Sequence, residues 1–432
     1  MNKTQSNLST KQMLSLNFGS FGIQFAFSIV IANVSGIFAM LGVTNDSLAY
    51  VWFGPSLIGL LLPPIVGYMS DKTNSQFGPR IPYIFVGALI TAISMAIMPN
   101  TISPLFAAIL LFFLMGAINI SLQPSRSLVA DIVAKELHTK IYAMQAVMIG
   151  IGAVIASSAP WLFSSIIGFQ HNNISTHLPY EIKYSFYIGA IIVLISNIWT
   201  SIYAKKHLKK YEPNTKYTPK DLFAYLLKMP KAMRQIFLVQ IFTWIGTFIL
   251  VIYLTPTIEQ NIFHIPIISH HVHNINYQSG IEKSTVLTGI TCASYMLINI
   301  LVAYCIPLFL KILNRKTIHI IALLLGACSL FAISIIHNSH YLLLAMAGIG
   351  AAWASFNSIP FAIVADSVPS QEMGLAMGIF NISICLPQVI VSLLAGLFLK
   401  NILGGNVDHL IITAAIFYLL ATFFMLPIKN KP

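Results

Sequence analysis

The sequence predicts an all-α membrane protein of twelve transmembrane helices arranged as two six-helix halves. Three observations carry that expectation. Hydrophobic residues make up 57% of the 432 and charged residues only 8%, with a mean hydropathy of +0.80, whereas soluble domains carry roughly 25% charged residues. Apolar runs near twenty residues long recur along the chain, the length a helix needs to cross hydrocarbon. A pattern in one half also returns in the other. Val-Ala-Asp131 and Val-Ala-Asp366 align at an offset of 235 residues, which places Arg126 on Phe361. Alternating ten-residue strand patterns, the mark of an outer-membrane barrel, are absent.

The spans fall at about 14–41, 48–70, 81–98, 103–130, 141–168, 184–204, 234–258, 284–309, 317–337, 340–365, 374–399 and 407–427. With the N-terminus inside, the cytoplasmic segments take 20 of the 24 Lys and Arg; Lys183, Lys283 and Lys400 lie outside and Arg126 lies within a span. That asymmetry places both termini in the cytoplasm and the chain in a cytoplasmic (inner) or plasma membrane. It also accounts for the net charge of +12, so no nucleic-acid partner is implied. Residues 1–204 and 234–432 form the two halves, and the basic stretch 205–233 links them. Within it, Tyr217-Thr-Pro-Lys-Asp221 could start a short helix lying on anionic lipid. Residues Met1 to Lys11 are polar and the apolar run after them exceeds a signal-peptide core, so no cleaved signal is expected.

Other chemistry is sparse. The loop 259–283 carries His264, His270, His271 and His273, and a metal site there is conceivable. No Cys joins the cluster, so a plain polar loop is the reading, with no metal and no cofactor. Cys292, Cys305, Cys328 and Cys385 all lie in apolar runs and read as small buried hydrophobes without a disulfide. No nucleophile–base pair, phosphate loop or paired carboxylates within the membrane suggests an enzyme.

The fourth span is the exception. Asn119, Gln123 and Arg126 stand at spacings of four and three, which puts them on one helix face. Arg126 is the one Lys or Arg inside an apolar run. A guanidinium in hydrocarbon costs roughly 3 kcal/mol by insertion scales, so it normally faces a partner or a wet cavity. The alternative is snorkelling: Arg126 lies five residues before Asp131, roughly 7–8 Å from the boundary at 1.5 Å per residue. Further polar stripes run along other spans: Asn17, Ser20, Gln24 and Ser28; Gln240, Thr243, Trp244 and Thr247; Thr288, Thr291, Tyr295 and Asn299; Trp353 and Asn357; Asn381 and Gln388. Singly, each could be an interhelical hydrogen bond, worth about 0.6 kcal/mol in membranes. Together they suit a wet cavity for a small polar solute. On that reading Arg126, Asn119, Gln123, Gln24, Gln240, Trp244, Trp353, Asn357 and Asn381 bind substrate. Prolines within spans (Pro63, Pro64, Pro124, Pro160, Pro256, Pro360 and Pro387) are either bending points or static kinks.

The loop after the second span reads Gly67-Tyr-Met-Ser-Asp71-Lys-Thr-Asn-Ser-Gln-Phe-Gly78-Pro-Arg80, with a weaker counterpart at Lys311-Ile-Leu-Asn-Arg315-Lys316. Gly67 permits close helix approach, Gly78 a tight turn, and Asp71 and Arg80 can pair at helix ends. The order G-x-x-x-D-K followed by G-x-R resembles the signature loop of the major facilitator superfamily, whose plan is two six-helix halves. More closely, the chain resembles the sucrose/proton symporter branch and its bacterial glycoside–cation symporter relatives. The matching stretches are Phe21-Gly-Ile-Gln24-Phe, Gly54-Pro-Ser-Leu-Ile-Gly59 with Pro64-Ile-Val-Gly67-Tyr-Met-Ser-Asp71, Asn119 to Asp131, and Ser358-Ile-Pro360-Phe-Ala-Ile-Val-Ala-Asp366 on through Asn381 to Pro387-Gln388. The resemblance implies a monomeric secondary transporter in the lipid bilayer, moving a sugar or glycoside by alternating access. Gly67, Asp71, Gly78, Arg80, Asp131 and Asp366 would then work the gate.

The departures bear on coupling. Met115 stands where that branch carries an Asp, Gln123 where some relatives carry a Glu, and Pro79 and Ile81 where the branch usually has Arg. All twelve Asp and Glu lie in loops or at helix ends, and no His is expected at mid-membrane. A coupling proton needs a group that titrates inside the path, so facilitated diffusion stands beside symport with a proton or sodium ion. Two further alternatives are an anionic metabolite held by Arg126 and a non-transporting sensor or lipid-handling protein on the same scaffold.

Overall fold

The computed structural model describes residues 8–41, 45–167, 180–207, 225–264, 275–404 and 406–428. Fourteen helices of eight residues or more order the described chain: α1 (Thr10–Met40), α2 (Asn45–Lys72), α3 (Ile81–Ile97), α4 (Pro104–Ile132), α5 (His138–Ile167), α6 (Tyr180–Lys205), α7 (Lys231–Asn261), α8 (Ile275–Phe309), α9 (Arg315–Ile333), α10 (Ser339–Phe356), α11 (Ile359–Ser367), α12 (Met373–Phe380), α13 (Ile382–Asn401) and α14 (Val407–Met425). Among the described residues, eleven stretches are long and apolar enough to cross a membrane. The span expected at 48–70 is the continuous 28-residue helix α2. The molecule is a multi-pass helical membrane protein.

Local chemistry sets the helix ends. Proline occupies the first turn of α3 and of α4, where its missing N–H costs no bond. Asn314, Asn338 and Asn406 cap α9, α10 and α14 by accepting from Thr317, His340 and Asp408 N–H groups. Two expected spans are broken. The span at 340–365 divides into α10 and α11 at Asn357–Ser358, just ahead of Pro360. The span at 374–399 divides into α12 and α13 at Asn381. A proline disfavours helical geometry in the residue before it and removes one ladder bond, which explains the first break.

The helices pack as two compact units. One holds Met1–Met229 with Val364–Ile382, the other Pro230–Ile363 with Ser383–Pro432. In the first, α1, α3, α4, α5 and α6 bury a continuous apolar cluster that includes Phe25, Ile29, Leu111, Leu114 and Phe186. In the second, Tyr418 of α14 is fully buried and its hydroxyl meets Thr247 Oγ1 of α7 at 2.8 Å. Large apolar side chains also point outward, among them Phe113, Ile195, Leu301 and Leu344. On a soluble protein such a surface would aggregate; here it is the face for lipid.

Candidate functional site

The first unit carries a charge cluster around the loop between α2 and α3. Gly78 takes φ +85°, a left-handed conformation that favours glycine, and this turn delivers Arg80 to the start of α3. Arg80 is fully buried, and its guanidinium fork divides among four partners. Nε donates to Asp131 Oδ2 at 2.9 Å, Nη1 donates to Ser70 Oγ at 2.6 Å and pairs with Asp71, and Nη2 donates to the Ser370 carbonyl at 3.4 Å. Asp71 also accepts the N–H of Gly374 at 2.9 Å and of Leu375 at 2.7 Å. Those are unsatisfied donors in the first turn of α12, where a helix favours a negative group. Asp71 lies beyond the apolar run of α2. Burial pushes its carboxyl up to about 6, against the pull of Arg80 and the two backbone N–H groups. Gly67 is the contact point between α2 and α12, since a Cβ there would collide with the Gly374 carbonyl.

Asp366 of α11 meets His138 at the start of α5, Oδ1 to Nδ1, at 2.7 Å. Asp131 and Asp366, aligned in the sequence repeat, thus each meet a different side chain, Arg80 and His138. His138 gave no signal in the sequence, because its partner lies 228 residues away.

The polar face of α4 is buried. Asn119 is 9% exposed, Gln123 0% and Arg126 7%, so Arg126 does not snorkel. Its Nη1 donates to Asn381 Oδ1 at 3.5 Å. Asn381 in turn donates from Nδ2 to the Gly59 carbonyl at 3.2 Å. That carbonyl is four residues before Pro63, whose ring nitrogen cannot bond it. Asn381 therefore serves the carbonyl that Pro63 leaves without a ladder donor and accepts from Arg126 as well. Beside Arg126, Ser125 lies 3.5 Å from Ser20 of α1, and Gln145 of α5 donates to Ser20 Oγ at 3.0 Å. Neither polar atom of the Gln123 amide has a hydrogen-bond partner within the fold. A buried amide left so costs about 1–3 kcal/mol. Asn119 spends its N–H on the Met115 carbonyl and Gln24 donates to Ser28, so both are tied up along their own helices.

The second unit holds the aromatic part of the set. Trp244 of α7 packs against Trp353 (ring centroids 5.8 Å apart), Phe356 (5.0 Å) and Phe248 (5.4 Å), and Tyr295 of α8 lies 5.3 Å from Trp353. One turn away, Gln240 Nε2 donates to the Phe356 carbonyl at 3.2 Å. Phe356 is four residues before Pro360, so this amide too supplies the donor that a proline removes. Trp244 Nε1 and Gln240 Oε1 are buried without partners, and Asn357 returns its N–H to the Trp353 carbonyl. Replacing Gln240 with Leu should lower the apparent melting temperature in detergent, because a buried carbonyl losing its donor costs about 1–3 kcal/mol. An unchanged melting curve would mean that another donor serves Phe356.

Some expectations need correction. None of the four cysteines is buried: Cys328 is exposed and the others are intermediate, all as free thiols. In a spanning helix an apolar side chain can face lipid, so hydrophobicity does not imply burial here. His319, one turn into α9, is fully buried with Nδ1 2.8 Å from Ser355 Oγ. Of the loop histidines, His270, His271 and His273 lie outside the described residues, as does the stretch 217–221.

Such a protein, all helix, many times across the bilayer and with its polar groups turned inward, is built as a carrier of solutes. Residues 16–392 match the family described as Major Facilitator Superfamily, and the chain belongs to that family. It is a transporter of a small molecule and not an enzyme. Among its relatives, sucrose transport protein SUT5 of rice (Oryza sativa) is 24% identical over 438 residues, covering 87% of this chain and 79% of that protein. Sucrose transport protein SUC4 of Arabidopsis thaliana is 23% identical over 470 residues, covering 95% and 88%. The crystal structure of FucP, a transporter of the same superfamily from E. coli in its outward conformation, superimposes with a TM-score of 0.72 at 14% identity, over 98% of this chain and 99% of that one. At that identity the likeness carries the fold alone.

Proposed function

We propose that the protein moves a neutral sugar or glycoside across a cytoplasmic or plasma membrane by alternating access, with both termini in the cytoplasm. The observation that carries this is the kind of polar group left without an internal partner. The Gln123 amide, Gln240 Oε1 and Trp244 Nε1 are neutral donors and acceptors, and Arg126 and the Trp244–Trp353 aromatics stand beside them in their respective units. Hydroxyls need neutral partners of this kind, and a sugar's apolar face suits an aromatic ring. The printed names of the relatives, sucrose transport proteins, favour the same class.

Arg126, Gln123, Gln240, Trp244 and Trp353 would contact the solute. Asn381, Asn119, Asn357 and Gln24 would shape the helices around it, since their amides already serve backbone or neighbouring oxygens. The halves would be residues 1–204 and 234–432, joined by 205–233, in a monomer. Asp71, Arg80 and Asp131, with Gly67 and Gly78, would hold the cytoplasmic gate, and the contacts of Asp71 with Gly374 and Leu375 and of Arg80 with Ser370 would part for it to open. The sequence puts no Asp or Glu at the middle of an expected span, so transport would run down the solute gradient without a carried proton.

The test is counterflow of radiolabelled sucrose in vesicles containing the purified protein, competed by a panel of sugars, sugar acids, amino acids and nucleosides. Sugar competition that survives a protonophore is expected. Competition by amino acids or nucleosides alone would reject the substrate class, and uphill uptake strictly dependent on a proton gradient would reject the uncoupled cycle.

A further inference from the structure

Within the first unit, the seam between α3 and α6 ends in a basic corner. The two helices pack closely, since a Cβ on Gly189 early in α6 would collide with the Met95 side chain late in α3. They run antiparallel, because Phe77, just ahead of α3, meets Lys205 at the end of α6. Each helix turns an apolar ridge outward. On α6, Ile198, Ile202 and Lys205 stand at spacings of four and three, so this exposed ridge finishes in an ammonium group. On α3, Phe85 and Leu89 are exposed one turn apart. Ridges of this kind on a spanning helix face acyl chains.

The corner itself combines an aromatic ring with two cations. Phe77 is 43% exposed although it sits in a polar loop, and Lys205 Nζ stands 4.4 Å from its ring centroid. An ammonium over a ring face is held by the ring's quadrupole, and its three N–H donors are not all spent there. Lys206, next in the chain, is exposed as well. Among the described residues no carboxylate pairs with either lysine. The C-terminal end of α6 and the N-terminal end of α3 carry opposite partial charges and offset each other here, so the lysines set the local sign. Lys209 and Lys210 follow in the sequence. Clustered lysines immediately beyond a spanning helix attract anionic lipid headgroups.

We propose that this corner is a docking site for one anionic phospholipid. Its phosphate meets the ammonium groups of Lys205 and Lys206, and the Phe77 ring lies at headgroup depth, where aromatic side chains favour the interface. An acyl chain follows the seam below, between the outward ridges of α3 and α6. A zwitterionic lipid offers the same phosphate, but its own cation offsets that charge, so the lysines gain less from it. The orientation proposed above puts this end of the helices in the cytoplasmic leaflet. The site lies on the lipid-facing side of the helices, so it goes beyond the transport reading and does not depend on which solute is moved.

Native mass spectrometry reads the preference without any solute. The full-length protein is stripped of lipid in detergent and given equimolar phosphatidylglycerol and phosphatidylcholine with identical acyl chains. The wild type should retain one phosphatidylglycerol in preference. Lys205→Ser combined with Lys206→Ser should lower the ratio of bound phosphatidylglycerol to phosphatidylcholine by about tenfold or more, since each lysine near an anionic surface accounts for about fivefold. Lys228→Ser combined with Lys231→Ser removes the same charge from two other exposed lysines and should leave the ratio unchanged. No preference in the wild type, or a ratio that survives the loss of Lys205 and Lys206, would overturn the proposal. An equal fall in the Lys228 and Lys231 variant would overturn it too, because the attraction would then belong to the basic loops at large.

Discussion

Arg126→Ala should reduce sucrose counterflow by about two orders of magnitude while leaving expression and monodispersity unchanged. A hydrogen bond to a charged group contributes about 1.5–3 kcal/mol, and loss of a bidentate pair to sugar hydroxyls sits at the upper end of that range. Folding should tolerate the change because Asn381, which gains Arg126 as a donor at 3.5 Å, keeps its stronger duty to the Gly59 carbonyl at 3.2 Å. Arg126→Lys should fail to restore transport, since an ammonium offers no planar fork. Substrate protection separates a binding role from a structural one. Sucrose should raise the melting temperature of the wild type and not of Arg126→Ala. Equal protection in both, with uptake intact, would remove Arg126 from the site.

The positions of Arg126, Gln123 and Asn119 on one buried face could be read from spacing, because a helix period converts intervals of three and four into a common direction. What that face touches could not. Asn381 lies 255 residues from Arg126 and 322 from Gly59, and no local pattern announces a contact at that range. The prolines show the same division. Pro63 and Pro360 signal that the carbonyls of Gly59 and Phe356 lose their ladder donors. That these would be answered by the side chains of Asn381 and Gln240 follows only from packing. The two amides thus each serve a carbonyl that a proline leaves without its ladder donor. The repeat of Val-Ala-Asp was likewise visible, whereas the different partners of its two copies, Arg80 on Asp131 and His138 on Asp366, were not. His138 begins a span and reads as a boundary residue, and His319 hides one turn inside another.

The charge cluster at Arg80 should be the most sensitive place in the protein. Arg80→Ala is expected to lower the apparent melting temperature sharply and to cut transport at least tenfold. Asp71 and Asp131, buried at side-chain exposures of 3% and 7%, would then face each other's charge with no cation between them. Removing one member of a buried ion pair costs about 3–5 kcal/mol, most of it from the partner left behind. Arg80→Lys should rescue little, because Nε, Nη1 and Nη2 serve different partners and one ammonium cannot replace three directed donors. Asp71→Asn should be milder in stability, since burial already presses on that charge, but it loses an acceptor for the two N–H groups of α12 and so should also slow transport. The double variant Arg80→Gln with Asp71→Asn discriminates between a mere structural staple and a gate. It removes one of the two stranded charges and the repulsion between them, leaving Asp131 alone, so the melting temperature should recover in part while transport stays low. Full recovery of both would make the cluster only a staple, and an unchanged melting temperature in Arg80→Ala would show that its buried charges do not depend on one another.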